Sequence, residues 1–169
     1  HLGEDRPQWK EKGKRLVQVL RQNPEAFAPK ERWAMDWYYP VLTGVLQGTT
    51  GLDRLNAKKE EFEIAHKGIR CVSDRPWVTT AETCECAMAY LAVGEQIHAI
   101  ELFTKIQDYR DKNGRYLTGV VYPENVSFPE NEYSTYSAAA VILTADAIQG
   151  ETQASSMFAD HTFLPSLDE

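Results

Sequence analysis

The chain has 169 residues, of which 43% are hydrophobic and 25% are charged, and this composition is typical of one globular domain over residues 1–169. The 18 basic and 25 acidic side chains give a formal net charge of −7. Because affinity for a phosphate backbone depends on Lys and Arg, this balance argues against nucleic acid as a partner. No apolar run reaches the roughly 18–20 residues of a membrane span. We expect a cytoplasmic protein whose three cysteines are reduced.

The first half of the chain shows helical hydrophobic periodicity. A leading helix is predicted over 6–23, and repeated hairpins follow over 29–150. The helix predicted from about 29 to 48 is apolar nearly all round, which is typical of a helix buried on most sides. Pro40 lies in its middle and has no N–H to donate to the carbonyl of Asp36, so we expect a kink and a free carbonyl oxygen there.

The second half continues the pattern, after a polar helix over about 52–65. A helix over 80–93 begins with Thr79 and Glu82, which have the spacing of a capping box. An amphipathic helix over 95–110 and an apolar helix over 133–149 follow, and the segment 151–169 is a C-terminal tail. Glycines at 48, 94 and 150 are expected to end the apolar helices. Strands are expected only as short ribbons near 69–73 and 115–122.

These segments form an internal repeat with a period of about 46–56 residues. Each unit pairs an apolar inner helix with a more polar outer helix. The pattern predicts an all-α fold of antiparallel helical hairpins of the α/α-toroid type, with about three hairpins and hence a partial toroid. An open array exposes apolar end faces, so we expect self-association or missing repeats of a longer chain.

One segment carries a family resemblance. The stretch from Gln107 to Tyr116, with Gly114 and Arg115 before the tyrosine, resembles the Gln…Gly-x-aromatic repeat of squalene cyclases and protein prenyltransferases. This resemblance implies a toroid with an aromatic, acidic central cavity and an isoprenoid ligand. The acid motif of the protonating cyclases and the zinc ligands of the prenyltransferases are missing, so the resemblance assigns no reaction. The six-hairpin glycosidases share the helical-hairpin barrel, and a likeness to them would imply a saccharide ligand.

The candidate catalytic residues are Asp36, Glu82 and Glu132. A carboxyl group among aromatic rings is desolvated, which raises its pKa and suits it to general acid catalysis. Paired acids are also what glycoside hydrolysis requires. Each residue also has a structural interpretation. Asp36 is a hydrogen-bonded residue beside a helix kink, Glu82 is part of a capping box, and Glu132 is an acidic residue that favours a helix N-terminus.

Aromatic side chains close to these acids are the candidate substrate-binding residues: Trp37, Tyr38, Trp77, Tyr133 and Tyr136. Such rings stack on a sugar or stabilise a carbocation. We expect the loops 73–80 and 123–135 to meet the kinked helix at Asp36 and to form the site there.

No cofactor or metal ion is expected. Cys84 and Cys86 are two residues apart on a predicted helix, so their thiols point to different sides and do not converge on one ion. Three functions therefore remain: a prenyltransferase- or terpene-cyclase-like protein of unassigned reaction, a glycan-acting enzyme with paired carboxylates, and a helical-repeat interaction module without catalysis.

Overall fold

The computed structural model describes residues 6–162. Its helices are α1 (Pro7–Gln22), α2 (Ala34–Leu42), α3 (Gly48–Phe62), α4 (Thr80–Ala92), α5 (Gln96–Lys105), α6 (Thr135–Gln149) and α7 (Ser155–Ala159). Single 3₁₀ turns occupy Pro24–Ala26 and Ile106–Tyr109. The strands are β1 (Glu63–Ile64), β2 (Gly68–Ile69), β3 (Trp77–Thr79), β4 (Gly119–Val121) and β5 (Val126–Ser127). The last part of the predicted tail, residues 163–169, lies outside the described residues.

Helix α4 is the centre of the molecule. Helices α2 and α6 pack on α4, and α3 and α5 follow α2 and α4 as their hairpin partners. Small residues such as Ala87 and Ala89 are fully buried on α4, so its neighbours approach closely. A second cluster of buried residues, around Val78 and Ile106, joins the N-terminal end of α4 to the strands.

The all-α prediction is wrong, although helix accounts for 57% of the described residues. Strands β1 and β2 form one antiparallel pair, and β3, β4 and β5 form a three-stranded antiparallel sheet. The sheet arises because β-branched residues precede the inner helices: Val78 pairs with Val120, and Val121 with Val126. The segment around Trp77, expected to be a loop, is therefore a strand.

Helix α2 is shorter than predicted at both ends. Trp33 has an extended backbone because it bridges to Val72, and the amide of Ala34 donates to the carbonyl of Cys71 at 3.0 Å. At the other end, Gly44 adopts a positive φ of 74° directly after the helix. Gly48, expected to end this helix, is instead the first residue of α3. Gly150 does end α6, in the left-handed conformation.

Pro40 has no N–H for the carbonyl of Asp36, as predicted, but Arg54 of α3 supplies a donor to it. Its guanidinium donates to the carbonyl of Asp36 at 2.9 Å and to that of Trp37 at 3.1 Å. A buried carbonyl without a donor is costly, so this side chain stabilises the proline-containing helix and fixes α3 against it. Among the described residues, no helix combines the length and the apolar character needed to cross a membrane.

We predict that Arg54→Met lowers the free energy of unfolding by about 1–3 kcal/mol, because two part-buried carbonyls lose a charged donor. In a Pro40→Ala background the same substitution should cost less, since residue 40 then has an N–H for the Asp36 carbonyl. Urea unfolding of the four proteins measures this coupling. If Arg54→Met lowered the free energy of unfolding equally in the two backgrounds, Arg54 would not be compensating for Pro40.

Candidate active site

A buried carboxylate joins the three inner helices. Glu85 of α4 is 8% exposed. The Tyr38 hydroxyl of α2 donates to its Oε2 at 2.5 Å, and the Tyr136 hydroxyl of α6 donates to its Oε1. Both oxygens therefore accept a hydrogen bond from a tyrosine, which compensates the carboxylate for the loss of water.

Local structure places these tyrosines. Tyr38 lies on the fully buried face of α2. Tyr136 lies in the first turn of α6, which begins where the Ser134 hydroxyl accepts the amide of Ser137 at 3.1 Å. Farther along, the Thr144 hydroxyl donates to the Cys84 carbonyl at 3.1 Å and ties α6 to α4. The first turn of α6 is thereby held against the N-terminal half of α4.

Glu82 lies one helical turn before Glu85 and is half-buried. Burial raises the pKa of Glu82 above its ordinary 4.5 and outweighs interactions with the Thr79 side chain and the backbone, which lower it. The nearby charge of Glu85 adds a smaller increase. The predicted capping box does not form, because the Thr79 side chain makes no capping hydrogen bond. Neither glutamate forms an ion pair with any residue in 6–162. The two carboxyls thus lie on one helix face in different environments. The pKa of Glu82 is raised, whereas Glu85 accepts hydrogen bonds from two tyrosines.

Tyr39 links this pair to a cavity. Its side chain lies beside Tyr136 and Glu85, and burial raises its pKa. Tyr39 also lines a cavity of about 1000 Å³ between α2, α3 and the segment that follows α1. A ligand in that cavity would therefore contact Tyr39, which separates it from Tyr136 and Glu85.

Two of the predicted site residues lie elsewhere on α2. Asp36 lines the cavity, and its carboxylate is 3.9 Å from the Arg54 guanidinium. Trp37 is 1% exposed and stacks on Phe62 with the ring centroids 5.5 Å apart. Its indole N–H donates to the carbonyls of Arg54 and Leu55. In this structure Trp37 supports the hydrophobic core beneath the site.

Glu132 belongs to the loop that precedes α6. It accepts the Thr118 hydroxyl at 2.8 Å through Oε1 and the Thr118 amide at 2.9 Å through its carbonyl. Near the same loop, Trp77 stacks on Phe128 at 4.3 Å. These contacts order the loop between the sheet and α6.

Tyr133 follows Glu132 and is partly exposed. The Arg115 guanidinium lies 4.2 Å from the centre of its ring, and this arginine is in turn bound by Asp111 at 2.8 Å. The ring is therefore held at the loop surface by a cation–π contact.

The structure brings together three predicted residues, Glu82, Tyr38 and Tyr136, and places Asp36 and Glu132 in other surroundings. Sequence reasoning missed Glu85. The signal for Glu85 was its position three residues after Glu82 in an otherwise apolar helix, because residues three apart lie on the same face. The described residues contain no group of three or more His, Cys, Asp or Glu side chains that could hold a metal ion.

Comparison with known proteins adds one relative. A curated protein of Mycolicibacterium hassiacum, named MMP endo-(1,4)-3-O-methyl-α-D-mannosidase, is 42% identical to this chain over 158 residues. By name, the relative is a glycoside hydrolase. The alignment covers 94% of this chain and 44% of the relative, so the chain spans less than half the length of the protein it matches. No family model matches the chain.

This similarity supports the glycan-acting alternative, and the resemblance to prenyltransferases and squalene cyclases is wrong. The segment that carried the resemblance forms a local turn. Tyr116 donates to the Gln107 amide oxygen at 2.8 Å, and the Asp111 carboxylate accepts the amides of Asn113 and Arg115. Turn geometry accounts for this motif without shared chemistry. The comparison supports neither an isoprenoid ligand nor self-association.

We predict that Glu82→Gln stabilises the protein at pH 7 and has little effect at pH 4. Because the folded pKa of Glu82 is raised, the native state holds its proton more tightly than the unfolded state. The stability from this carboxyl is fully present below pH 4.5 and is lost as the pH rises through the folded pKa. Urea unfolding from pH 4 to 8 tests this, with Glu60→Gln on the exposed surface of α3 as the control. If the free energy of unfolding changed with pH in the same way in the wild-type chain and in Glu82→Gln, the raised pKa of Glu82 would be contradicted.

We also predict that Tyr38→Phe costs more stability than Tyr136→Phe. Both remove one hydrogen bond to Glu85, but Tyr38 is fully buried, whereas Tyr136 is 53% exposed and water can replace its hydroxyl. The expected loss is about 1–3 kcal/mol for Tyr38→Phe and less for Tyr136→Phe. Equilibrium unfolding measures both, and the reverse order would contradict the arrangement.

Proposed function

We propose that this chain carries the acid catalytic site of a glycoside hydrolase that cleaves α-(1,4)-linked mannose glycans bearing 3-O-methyl groups. The observation that carries the proposal is the 42% identity to the mannosidase over 94% of this chain. The carboxyl pair at the N-terminal end of α4 supports it independently, because glycoside hydrolysis requires a carboxylic acid that retains its proton.

In the proposed mechanism, Glu82 is the general acid. Its raised pKa keeps the carboxyl protonated to a higher pH than an exposed glutamate. The proton passes to the oxygen of the glycosidic bond as the bond to the anomeric carbon breaks. Half-burial leaves this side chain accessible to a substrate while it is still desolvated.

Glu85 is a positioning residue in this proposal. Both of its oxygens are engaged by tyrosines and it is 8% exposed, so contact with a sugar is limited. Its charge helps Glu82 to keep its proton. It also orients Tyr136, whose ring is 53% exposed and can stack on a sugar.

Hydrolysis also requires a second carboxylate that activates water or attacks the sugar. Asp36 and Glu132 are the predicted residues for this role. Asp36 lines the cavity beside Tyr39, and Glu132 lies on the loop before α6 with Trp77 and Tyr133 nearby. Of these two residues we propose Asp36 as the first to test, because Asp36 lines the cavity and Glu132 does not.

The test is release of reducing ends from a 3-O-methylated α-(1,4)-mannan oligosaccharide. We expect Glu82→Gln to lower the rate by about 10²–10⁴-fold, as for loss of a general acid. Asp36→Asn should lower it by a similar factor, and Glu60→Gln on the exposed face of α3 should leave it unchanged. Wild-type activity in Glu82→Gln would contradict the acid assignment.

The pH profile separates the two roles of the α4 pair. Glu85→Gln should move the alkaline limb of the rate profile to lower pH, because Glu82 then loses a neighbouring negative charge. A uniform drop in rate without a shift of the limb would contradict the positioning role of Glu85.

A further inference from the structure

The cavity beside Tyr39 has an apolar side and a polar side. Phe27, Trp33 and Met35 line it together with the Tyr39 ring. Phe27 and Trp33 are 43% and 44% exposed, so their rings are open to a ligand. Charged groups come from α2 and α3, which supply Asp36, Arg54 and Lys58, and from the segment before α2, which supplies Lys30 and Glu31.

This combination fits a sugar with one apolar edge. Aromatic rings pack against the C–H face of a pyranose, and charged side chains bind its free hydroxyls. An ordinary hydroxyl placed against Phe27 or Trp33 would lose its hydrogen bonds to water without gaining a partner. A methyl ether at the same position buries an apolar group instead, so this wall favours the methylated sugar.

The cavity also shares one residue, Tyr39, with the surroundings of the proposed catalytic pair. Tyr39 contributes to its wall and lies beside Tyr136 and Glu85. The volume of about 1000 Å³ lies at the upper end of the range for small-molecule sites, which leaves room for a segment of oligosaccharide. A glycan bound along this wall would therefore contact Tyr39, which lies beside Glu85.

We infer that this cavity is the subsite that selects the methyl ethers of the glycan, with Phe27 and Trp33 as its specificity-determining residues. The inference rests on the proposed function and adds to it the location of methyl recognition. It makes the preference for methylated sugar a property of residues 27–39, separate from the carboxyls of α4.

Isothermal titration calorimetry of the full chain tests it with two synthetic α-(1,4)-linked mannose tetrasaccharides, one 3-O-methylated and one unmethylated. We expect the wild-type chain to bind the methylated probe at least about 10-fold more tightly, the factor that an apolar pocket gives per methyl-sized group. In Phe27→Ala/Trp33→Ala this ratio should fall to near one. Trp9→Ala removes a ring that is 63% exposed on α1 and does not line the cavity, so it should keep the ratio.

The outcomes separate this inference from the proposed function. Binding of both probes with equal affinity to the wild-type chain would overturn methyl selection and leave the glycan function standing. A ratio that persists in the double variant, with its fold confirmed by circular dichroism, would place methyl recognition elsewhere and overturn the inference. Failure of the wild-type chain to bind either probe would overturn the proposed function and this inference together.

Discussion

The carboxylate of Glu85, buried among tyrosines, is the interaction on which the central part of this structure depends. A buried charge without hydrogen-bond donors costs several kcal/mol or more. Here α2 supplies Tyr38 and α6 supplies Tyr136, and both donate to it. The compensation exists only when the three inner helices are side by side, so this contact specifies their arrangement as well as stabilising it.

The same contact determines the electrostatics of the proposed site. Burial is the main cause of the raised pKa of Glu82, and the charge of Glu85, one turn away, adds a smaller increase. Burial also raises the pKa of Tyr38 and Tyr136, so both hydroxyls keep the protons that they donate. Two glutamates of one helix thereby lie in different electrostatic surroundings, as do the paired carboxyl groups of many acid–base enzymes.

Much of the helical framework could be predicted from the sequence, because apolar periodicity and glycine stops are local signals. Helices α4 and α6 begin within two residues of their predicted starts and end within one residue of their predicted ends. The first residue of α2 could not be predicted in the same way, because it depends on a bridge between Trp33 and Val72, 39 positions apart. Strand β4 lies within the ribbon expected near 115–122, but β3 and β5 were missed for the same reason: they are two or three residues long and exist through pairing across the chain.

In the candidate site, too, residues with local signals could be predicted and residues defined by distant contacts could not. Glu82, Tyr38 and Tyr136 were predicted from an acidic helix start and from nearby aromatics. Glu85 was missed because a charged residue inside an apolar helix gains its meaning from partners on two other helices. The resemblance to cyclase repeats failed because a turn formed by Gln107, Asp111 and Tyr116 serves local structure. The similarity to a mannosidase, matched over 44% of its length, favoured the glycan-acting alternative, which no motif in the chain singles out.

The central claim is that burial, together with the charge of Glu85, raises the pKa of Glu82. The most direct measurement is a ¹³C NMR titration of the glutamate side-chain carboxyls in the wild-type chain and in Glu85→Gln. The account predicts a Glu82 pKa above 4.5 in the wild-type chain and a lower value in Glu85→Gln. A Glu82 pKa at or below 4.5 that does not respond to the loss of the Glu85 charge would contradict it.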